Sequence, residues 1–259
     1  MYFCNILRIY VQPGHQPKYA GYVLFRGLVD TAHTPRFNHW GFHGRGQVVT
    51  GGYKVRGPHD ESVANIGLYI AVPSDAAAAA APGRRFEGRQ VVSARHVPPV
   101  WFLPLVHRLF GSEWAELWRT VATLGKFSPH PVYEHCTHAA VAGRVVLLGD
   151  AAHMASPNTG SGARAAFADA LSLRDCIVRS YATGGGMDAA LRAYDADVVR
   201  RGKQLLQLSQ HVGLRFIPGT QEVWLVEQLT REAEIAAREG AGAAREGADD
   251  ACEGGQSSV

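Results

Sequence analysis

The stretch VVLLGDAAHMASPNTGSGAR, residues 145–164, decides the fold of this 259-residue chain. The apolar run over residues 143–149 predicts a buried strand, and the pattern over residues 163–181 predicts a helix. Between them lie a carboxylate, Asp150, and a connection built of small residues, one proline and two glycines. Glycines keep such a connection thin, so that a ligand can approach the backbone closely. The stretch therefore predicts a strand, a binding loop and a helix.

The start of that helix faces the loop with unpaired backbone N–H groups and the positive end of the helix dipole. Such an end favours an anionic ligand edge, and Asp150 can accept hydrogen bonds from hydroxyl donors. A flavin offers both features, because its ribityl chain carries hydroxyls and its ring edge becomes anionic on reduction. The alternative is an ordinary turn in which Asp150 caps a backbone amide, and it leaves the next thirteen residues unexplained. The residues themselves favour a flavin site.

Strand-like segments precede this unit and predict an antiparallel sheet, since no helix separates them. They cover residues 19–29, 47–55 and 65–73, within a stretch from residue 2 to about 83 that has the pattern of strands. Residues 75–82 predict either a short helix or a loop of alanines. Residues 100–125 have helical spacing, and Trp114 and Trp118 are predicted to pack in the core.

Helices dominate the rest of the chain. The helix after the binding loop is predicted to bury a stripe formed by Ala166, Phe167, Ala170, Leu171, Leu173 and Ile177. Glycines 184–186 end it, and Asp188 is the predicted N-cap of the next helix. The buried face of that second helix is predicted to carry Leu191, Tyr194, Val198 and Leu205. A last helix is predicted over residues 221–238.

Composition and charge describe a globular chain without a membrane or metal signature. The net charge is +3, and residues 231–259 carry seven acidic residues and three arginines, which leaves +7 on the rest. This mild basic balance suits a small anionic ligand, and no motif indicates nucleic acid. The four cysteines are widely separated, so we expect no zinc site and no disulfide framework. No run is long and apolar enough to span a bilayer, and we expect a cytoplasmic protein.

Residues 143–173 resemble the second flavin-binding motif of the single-component FAD-dependent aromatic hydroxylases. They read Gly-Arg-Val-Val-Leu-Leu-Gly-Asp-Ala-Ala-His and continue with a proline, Gly-x-Gly, Asp-Ala and a leucine in that family's order. Residues 19–29 are similar to the segment that enters the family's substrate domain. Residues 191–202 are similar to the helix that follows its flavin motif. These are the p-hydroxybenzoate hydroxylase-like enzymes, and the chain is most similar to the salicylate and dihydroxypyridine hydroxylases among them.

The resemblance implies a mixed α/β fold with an antiparallel substrate-domain sheet and C-terminal helices. It divides the chain into a remnant of the FAD domain (1–18), a substrate-type sheet domain with helices (19–130), the C-terminal part of the FAD-binding domain (131–182), C-terminal helices (183–238) and a disordered tail (239–259). The cofactor-binding residues that it implies are Gly149, Asp150, Pro157, Gly160, Ser161, Gly162, Ala163 and Arg164. Of these, Asp150 would contact the ribityl hydroxyls and Pro157 would lie near the reactive face of the flavin. No catalytic residue is identified.

The glycine-rich phosphate loop of that family is not found in the 259 residues. The family pattern is Gly-x-Gly-x-x-Gly between a strand and a helix, whereas the one N-terminal candidate, Gly41-x-x-Gly44-x-Gly46, has a different spacing. We therefore expect a truncated form of the fold that binds FAD weakly by itself. We also expect the strand over residues 144–149 to leave an exposed sheet that allows self-association.

The function implied by the resemblance is that of an FAD-dependent monooxygenase that uses NAD(P)H and O₂ to hydroxylate a small aromatic substrate. Two alternatives remain open. The chain is either a non-catalytic remnant that acts through partner binding, or a flavin reductase or halogenase of the same architecture. His153 is interpreted as a structural histidine rather than a catalytic one.

Overall fold

A computed structural model describes residues 3–34, 40–45, 48–56, 62–72, 97–216 and 231–232. The chain divides into two compact units. Unit 1 consists of Met1–Leu24 and Pro131–Pro218, and unit 2 consists of Phe25–His130 and Gly219–Val259. Residues 75–82 and 239–259, and all but residues 231–232 of the predicted helix over 221–238, lie outside the described residues.

Unit 2 is built on an antiparallel sheet, as the sequence predicts. Its strands are β1 (Lys18–Asp30), β2 (Gly41–Arg45), β3 (Val48–Arg56), β4 (Ser62–Ala71) and β5 (Phe127–Cys136), of which β1 and β5 each continue into unit 1. They lie in the order β2-β3-β4-β1-β5. The pairs Phe42↔Gly51 and Thr50↔Leu68 fix the register of β2, β3 and β4. Among the described residues β2 is therefore one edge of the sheet, and β8 (His153–Met154), which pairs antiparallel with β5, is the other.

An aromatic core fills unit 2 between this sheet and two helices, α2 (Phe102–Phe110) and α3 (Ser112–Thr123). The ring of Phe102 is completely buried, and its centroid lies 4.9 Å from that of Phe25, 5.1 Å from that of Trp118 and 5.0 Å from that of Phe127. Edge-to-face aromatic contacts at such distances add to the free energy gained by burying apolar area. Trp118 and Trp114 are both buried, which confirms their predicted place in the core.

Unit 1 is mainly helical. It contains α1 (Phe3–Val11), α4 (Gly162–Ala182) and α5 (Gly186–Phe216), together with the two-residue strands β6 (Val141–Ala142), β7 (Val145–Val146) and β8 (His153–Met154). A tight turn of three glycines, of which Gly184 has φ +75°, separates α4 from α5. The core of the unit contains Ala140, Leu147, Ala152, Cys176, Tyr194 and Val198. All four residues predicted for the buried face of α5 are buried.

Several sequence predictions about unit 1 are wrong in detail. Residues 3–11 form a helix rather than a strand. Of the predicted strand over 143–149, only Val145–Val146 is a strand, and it pairs antiparallel with Val141–Ala142. The strand is short because the backbone of Leu147 makes its hydrogen bonds outside a sheet. The Tyr194 hydroxyl donates to the Leu147 carbonyl (2.8 Å), and the Leu147 N–H donates to the Ala140 carbonyl (2.7 Å).

The predicted buried stripe of α4 is only partly right, because Leu173 packs half-buried against the core of the unit but other members of the stripe are exposed. Phe167 is 74% exposed and Leu171 is 52% exposed, while the face that is buried carries Asp169, Cys176 and Ser180. A polar residue takes the central buried position because it makes the hydrogen bonds described below. Asp188 lies in the first turn of α5, which begins at Gly186, and is not its N-cap. No helix among the described residues is long and apolar enough to cross a membrane.

Candidate functional site

Gly149 places the predicted binding loop, residues 149–162, directly against the helix that follows it. Its φ of +55° lies in the left-handed region, and a Cβ at this position would lie 2.9 Å from the Cβ of Ala166 on α4. Only glycine tolerates both the backbone conformation and this close approach. The next residue, Asp150, belongs to a short 3-10 turn, Gly149–Ala151, and its side chain is exposed.

The carboxylate of Asp150 lies beside the first residue of α4. A Cβ built on Gly162 would be 4.0 Å from Asp150 Oδ1, so an added methyl group would just touch the carboxylate. Ser161, which precedes the helix, gives it no side-chain cap, and its hydroxyl donates instead to the Thr159 carbonyl (3.2 Å). The start of α4 thus keeps backbone N–H groups for a ligand, next to a carboxylate that accepts hydrogen bonds.

The other predicted site residues lie on the same loop and helix start. Pro157 begins a second 3-10 turn, Pro157–Thr159, and is exposed. Gly160 follows with a left-handed φ of +61° and lets the chain reverse into α4. Ala163 and Arg164 are exposed in the first turn of the helix. The structure therefore brings Gly149, Asp150 and Gly162 together, and the binding role of the whole set stays a prediction.

A buried carboxylate that the sequence analysis missed holds this loop in place. Asp169 is completely buried on α4, where Oδ2 accepts hydrogen bonds from the Gly149 N–H (2.8 Å) and His153 Nε2 (2.7 Å). Burial alone would raise the pKa of Asp169, but the hydrogen bonds from His153 and Gly149 outweigh it, so the pKa lies below its usual value. The sequence signal was the spacing of Ala166, Asp169, Leu173 and Cys176, which puts the acid on one helix face with apolar residues.

Helix α5 completes this network. Arg201 Nη2 donates to Asp169 Oδ1 (2.9 Å), and Arg201 Nη1 pairs with Asp197, whose carboxylate also accepts from the Ser172 hydroxyl (2.6 Å). The buried network links both helices to the loop that begins at Gly149. The part of His153 in it agrees with the structural interpretation of that residue, because the ring is 3% exposed.

A second buried pair supports the backbone of Asp150 from the other side. His135 Nε2 lies 2.9 Å from Arg8 Nη1 and 2.9 Å from the Asp150 carbonyl oxygen, and it accepts from the first or donates to the second according to its tautomer. Burial and the neighbouring charge of Arg8 lower the pKa of His135 to about 4. The ring is therefore neutral at neutral pH, and only one positive charge lies behind the loop at this point.

A third buried group anchors the loop around Pro157. Glu134 on β5 accepts hydrogen bonds from the Ser156 hydroxyl and from Gln210 Nε2 (3.1 Å). On the other side of Pro157, the Asn158 side chain lies 3.4 Å from the Ser209 hydroxyl and 3.4 Å from the Tyr22 hydroxyl. Nothing in the sequence pattern pointed to Glu134, because its partners are more than twenty residues away.

The described part of the chain shows no metal site and no disulfide. No group of His, Cys, Asp or Glu side chains there is arranged to hold a metal ion, and Cys136 and Cys176 are both free thiols. Trp101 belongs to the core of unit 2, and the hydroxyl of the half-exposed Tyr53 accepts from Asn65 Nδ2 (2.6 Å).

Residues 116–209 match a family model described as an FAD binding domain. A comparison with curated protein sequences gives no match. Solved structures are similar in fold, among them Klebsiella pneumoniae HpxO complexed with FAD and uric acid, at 20% sequence identity and a TM-score of 0.57. The match covers 90% of this chain and 55% of that one. Another is the 2,6-dihydroxypyridine-3-hydroxylase of Arthrobacter nicotinovorans, at 21% identity and a TM-score of 0.54, over 83% of this chain and 56% of that one.

A salicylate hydroxylase substrate complex is similar as well, at 19% identity and a TM-score of 0.53, over 87% of this chain and 55% of that one. These findings confirm the resemblance to FAD-dependent aromatic hydroxylases and the predicted fold class. The chain spans about half the length of these solved structures.

Proposed function

We propose that these residues form the flavin-ring part of the site of an FAD-dependent monooxygenase of the aromatic hydroxylase type. The observation that carries the proposal is the exposed Asp150 carboxylate, which lies beside the start of α4. The buried Asp169 side chain holds its loop by accepting a hydrogen bond from the Gly149 N–H. An exposed acid on a heavily anchored loop is a feature of binding sites rather than of ordinary turns.

The residues present suit a flavin. Asp150 would accept hydrogen bonds from the hydroxyls of the ribityl chain. The backbone N–H groups of Gly162, Ala163 and Arg164 would face the pyrimidine edge of the ring, where the helix dipole favours negative charge. When bound, FAD supplies the redox chemistry, with NAD(P)H as the reductant and O₂ as the source of the oxygen atom that is transferred to a small aromatic substrate.

The remaining residues of the site act on its shape and charge. Asp169 fixes the backbone of Gly149, and thereby the direction in which Asp150 points. Glu134 fixes Ser156, and thereby the path of the chain into Pro157. Because the pKa of His135 is low, no additional positive charge develops behind Asp150 at neutral pH. Such preorganisation lets a site stabilise a ligand without rearranging when it binds.

Binding of FAD by these 259 residues is proposed to be weak. The dinucleotide phosphates are usually bound by a Gly-x-Gly-x-x-Gly loop at a helix start, and the sequence contains none in that context. The direct test is a titration of the purified chain with FAD, followed by flavin fluorescence and the visible spectrum. We expect dissociation well above the micromolar range, and a tightly held, stoichiometric yellow flavin in the purified chain would contradict the proposal of weak binding.

Variants decide whether Asp150 is the binding residue. Asp150→Ala is expected to weaken FAD binding about tenfold, the effect of losing a charge-assisted hydrogen bond of about 1.4 kcal/mol. Asp175→Ala is the matched control, because Asp175 also lies in unit 1 and pairs only with Arg174 on the surface. With added FAD and a panel of phenols that includes salicylate, the unchanged chain should oxidise NADPH faster than Asp150→Ala does. Equal FAD affinity in both variants would contradict the proposed site.

A partner-binding role is the second candidate, and exposed apolar side chains of unit 1 favour it. The exposed sheet that was expected over 144–149 is reduced to two half-buried residues. The exposed apolar side chains lie instead on helices, with Phe167, Leu171, Val178 and Tyr181 on α4, and Ile6, Leu7, Ile9 and Tyr10 on α1. Patches of this kind mark interaction surfaces. Self-association would appear as a concentration-dependent mass in analytical ultracentrifugation that Leu171→Lys lowers, and a monomer at all concentrations would contradict it.

A further inference from the structure

Helix α4 has an exposed line of large side chains along most of its length. Its apolar members are each more than half exposed, and they are Phe167, Leu171, Val178 and Tyr181. Arg164 and Arg174 are exposed in the same line, which is therefore occupied at residues 164, 167, 171, 174, 178 and 181. Alternating steps of three and four residues give the narrow seam along which one helix packs against another. The spacing of this line, called here the α4 seam, thus fits a second helix.

The α4 seam is symmetric about the middle of its helix. Its steps are three, four, three, four and three residues, which read the same from either end, and its centre lies between residues 172 and 173. The helix spans Gly162–Ala182, so its midpoint is residue 172. A second α4 placed antiparallel about a twofold axis at this point would overlap along almost the whole helix and bring each seam residue opposite another. Twofold interfaces require this self-complementarity, so the partner that fits the seam is a second copy of this chain.

The pairs that this arrangement forms are chemically compatible. Across the axis they are Phe167 with Val178, Leu171 with Arg174 and Arg164 with Tyr181, each formed twice. The first pair is apolar. In the second, the methylene stem of Arg174 covers Leu171, and its guanidinium already donates to Asp175 Oδ1 (2.7 Å), so its charge is compensated when the seam closes. In the third pair a guanidinium meets an aromatic ring, which is a favourable contact.

A shallow groove on the exposed side of α4 lies where this arrangement needs one. It is lined by Asp175, Val178 and Arg179, and Val178 is the residue that Phe167 of the second copy would oppose. Paired helices pack with a side chain of one helix inserted between several side chains of the other. The groove would therefore receive the Phe167 ring, which is the most exposed of the apolar side chains in the seam.

We propose that two copies of this chain associate through an antiparallel, twofold pair of α4 helices. A second copy is thus the partner in the partner-binding role considered above, and the interface does not depend on the proposed flavin site. One helix pair is small for a specific interface, since standard interfaces bury about 800 Å² on each partner. We therefore expect a weak dimer, with a dissociation constant on the order of 10 μM.

The first test follows the mass of the full 259-residue chain by analytical ultracentrifugation over a concentration series, with no flavin added. The unchanged chain should shift from monomer to dimer. Leu171→Lys should weaken the dimer at least tenfold, because it places two further charges at the centre of the seam. Leu208→Lys is the matched control and should associate as the unchanged chain does, since Leu208 is also about half exposed but lies on α5. Both positions are exposed, so neither change is expected to disturb folding.

The outcomes of this test separate the α4 pair from association through another surface. A monomer at all concentrations, or a dimer that Leu171→Lys leaves intact, would overturn the proposal. If Ile9→Lys dissociates the dimer and Leu171→Lys does not, the interface belongs to α1. That result would keep the partner-binding role and overturn the α4 pair.

A disulfide test then examines the direction and the register of the two helices. Chains carrying Phe167→Cys and chains carrying Val178→Cys are oxidised separately and as a mixture, and a linked dimer should form only in the mixture. Two copies of residue 167 would lie about 16 Å apart along the helix axis, which is too far for a disulfide. The unchanged chain gives the background from its own cysteines. Self-linking of Phe167→Cys above that background, or a mixture that links no more than the unchanged chain, would overturn the antiparallel pair.

Discussion

The two units of this chain are stabilised in different ways. Unit 2 has an apolar, aromatic core in which Phe102 contacts four other rings, those of Phe25, Trp101, Trp118 and Phe127. Unit 1 has a small apolar core, and buried polar groups lie next to it: Asp169 with His153 and Arg201, and Glu134 with two serines. Unit 1 also exposes large apolar side chains on α4.

The two kinds of core have different consequences for the backbone around them. Aromatic packing contributes stability without constraining the direction of any one backbone group. A buried carboxylate contributes little net stability, because desolvation offsets most of its attraction, but it constrains the groups that donate to it. In unit 1 these constrained groups are the backbone of Gly149 and the residues around Pro157. The polar network thus fixes the position of a loop while it adds little to the stability of the unit.

The largest expected effect tests the aromatic side of this comparison. Phe102→Ala should lower the free energy of unfolding by about 3–5 kcal/mol, through lost burial and the cavity left behind. The described tryptophans, Trp40, Trp101, Trp114 and Trp118, all lie in unit 2, so the loss should appear in a urea titration followed by tryptophan fluorescence. Phe42→Ala, at a side chain that is 70% exposed, is the control and should change stability by less than about 0.5 kcal/mol.

The next effect tests the polar side. Asp169→Ala should cost about 3 kcal/mol, because it leaves Arg201, His153 and the Gly149 N–H without their buried acceptor. The loss should appear first in the helical circular dichroism signal, to which the long helices α4 and α5 contribute most. Replacement of the exposed Asp175 by alanine should have almost no effect. Coincident transitions for both signals in both the Phe102 and Asp169 variants would mean that the two units unfold as one.

The third effect, which reaches its full size only near pH 4, is a pH dependence of unit 1. The pKa of His135 is about 4 in the folded chain, compared with about 6.5 in an unfolded one. The unfolded chain therefore takes up a proton first as the pH falls, and stability should decrease from pH 6.5 to pH 4 by up to about 3 kcal/mol. Above pH 6.5 this contribution is constant. The free energy of unfolding, measured by urea titration, should depend less on pH between 6.5 and 4 in His135→Asn than in the unchanged chain. His107→Asn, at an exposed position, should show the same pH dependence as the unchanged chain.

The elements that the sequence predicted well are those with strong local patterns. The antiparallel segments of β1, β3 and β4, the helices around Trp114 and Trp118, and the helix that follows Gly162 all appear within a few residues of the predicted bounds. Each has an apolar period that a single type of element explains. The loop from Gly149 to Gly162 was predictable for a related reason, since glycines and a lone acid after an apolar run have few structural explanations.

The sequence by itself determined where the loop from Gly149 to Gly162 lies and that it presents an acid, because glycine spacing and a lone acid after an apolar run are local properties. It did not determine what holds that loop. The tertiary structure decided that Asp169 rather than Phe167 is buried on α4 and that residues 145–146 pair with a hairpin neighbour. The burial of Asp169 depends on partners distant in the chain, and a hydrophobic pattern cannot distinguish a buried carboxylate with three donors from an exposed one.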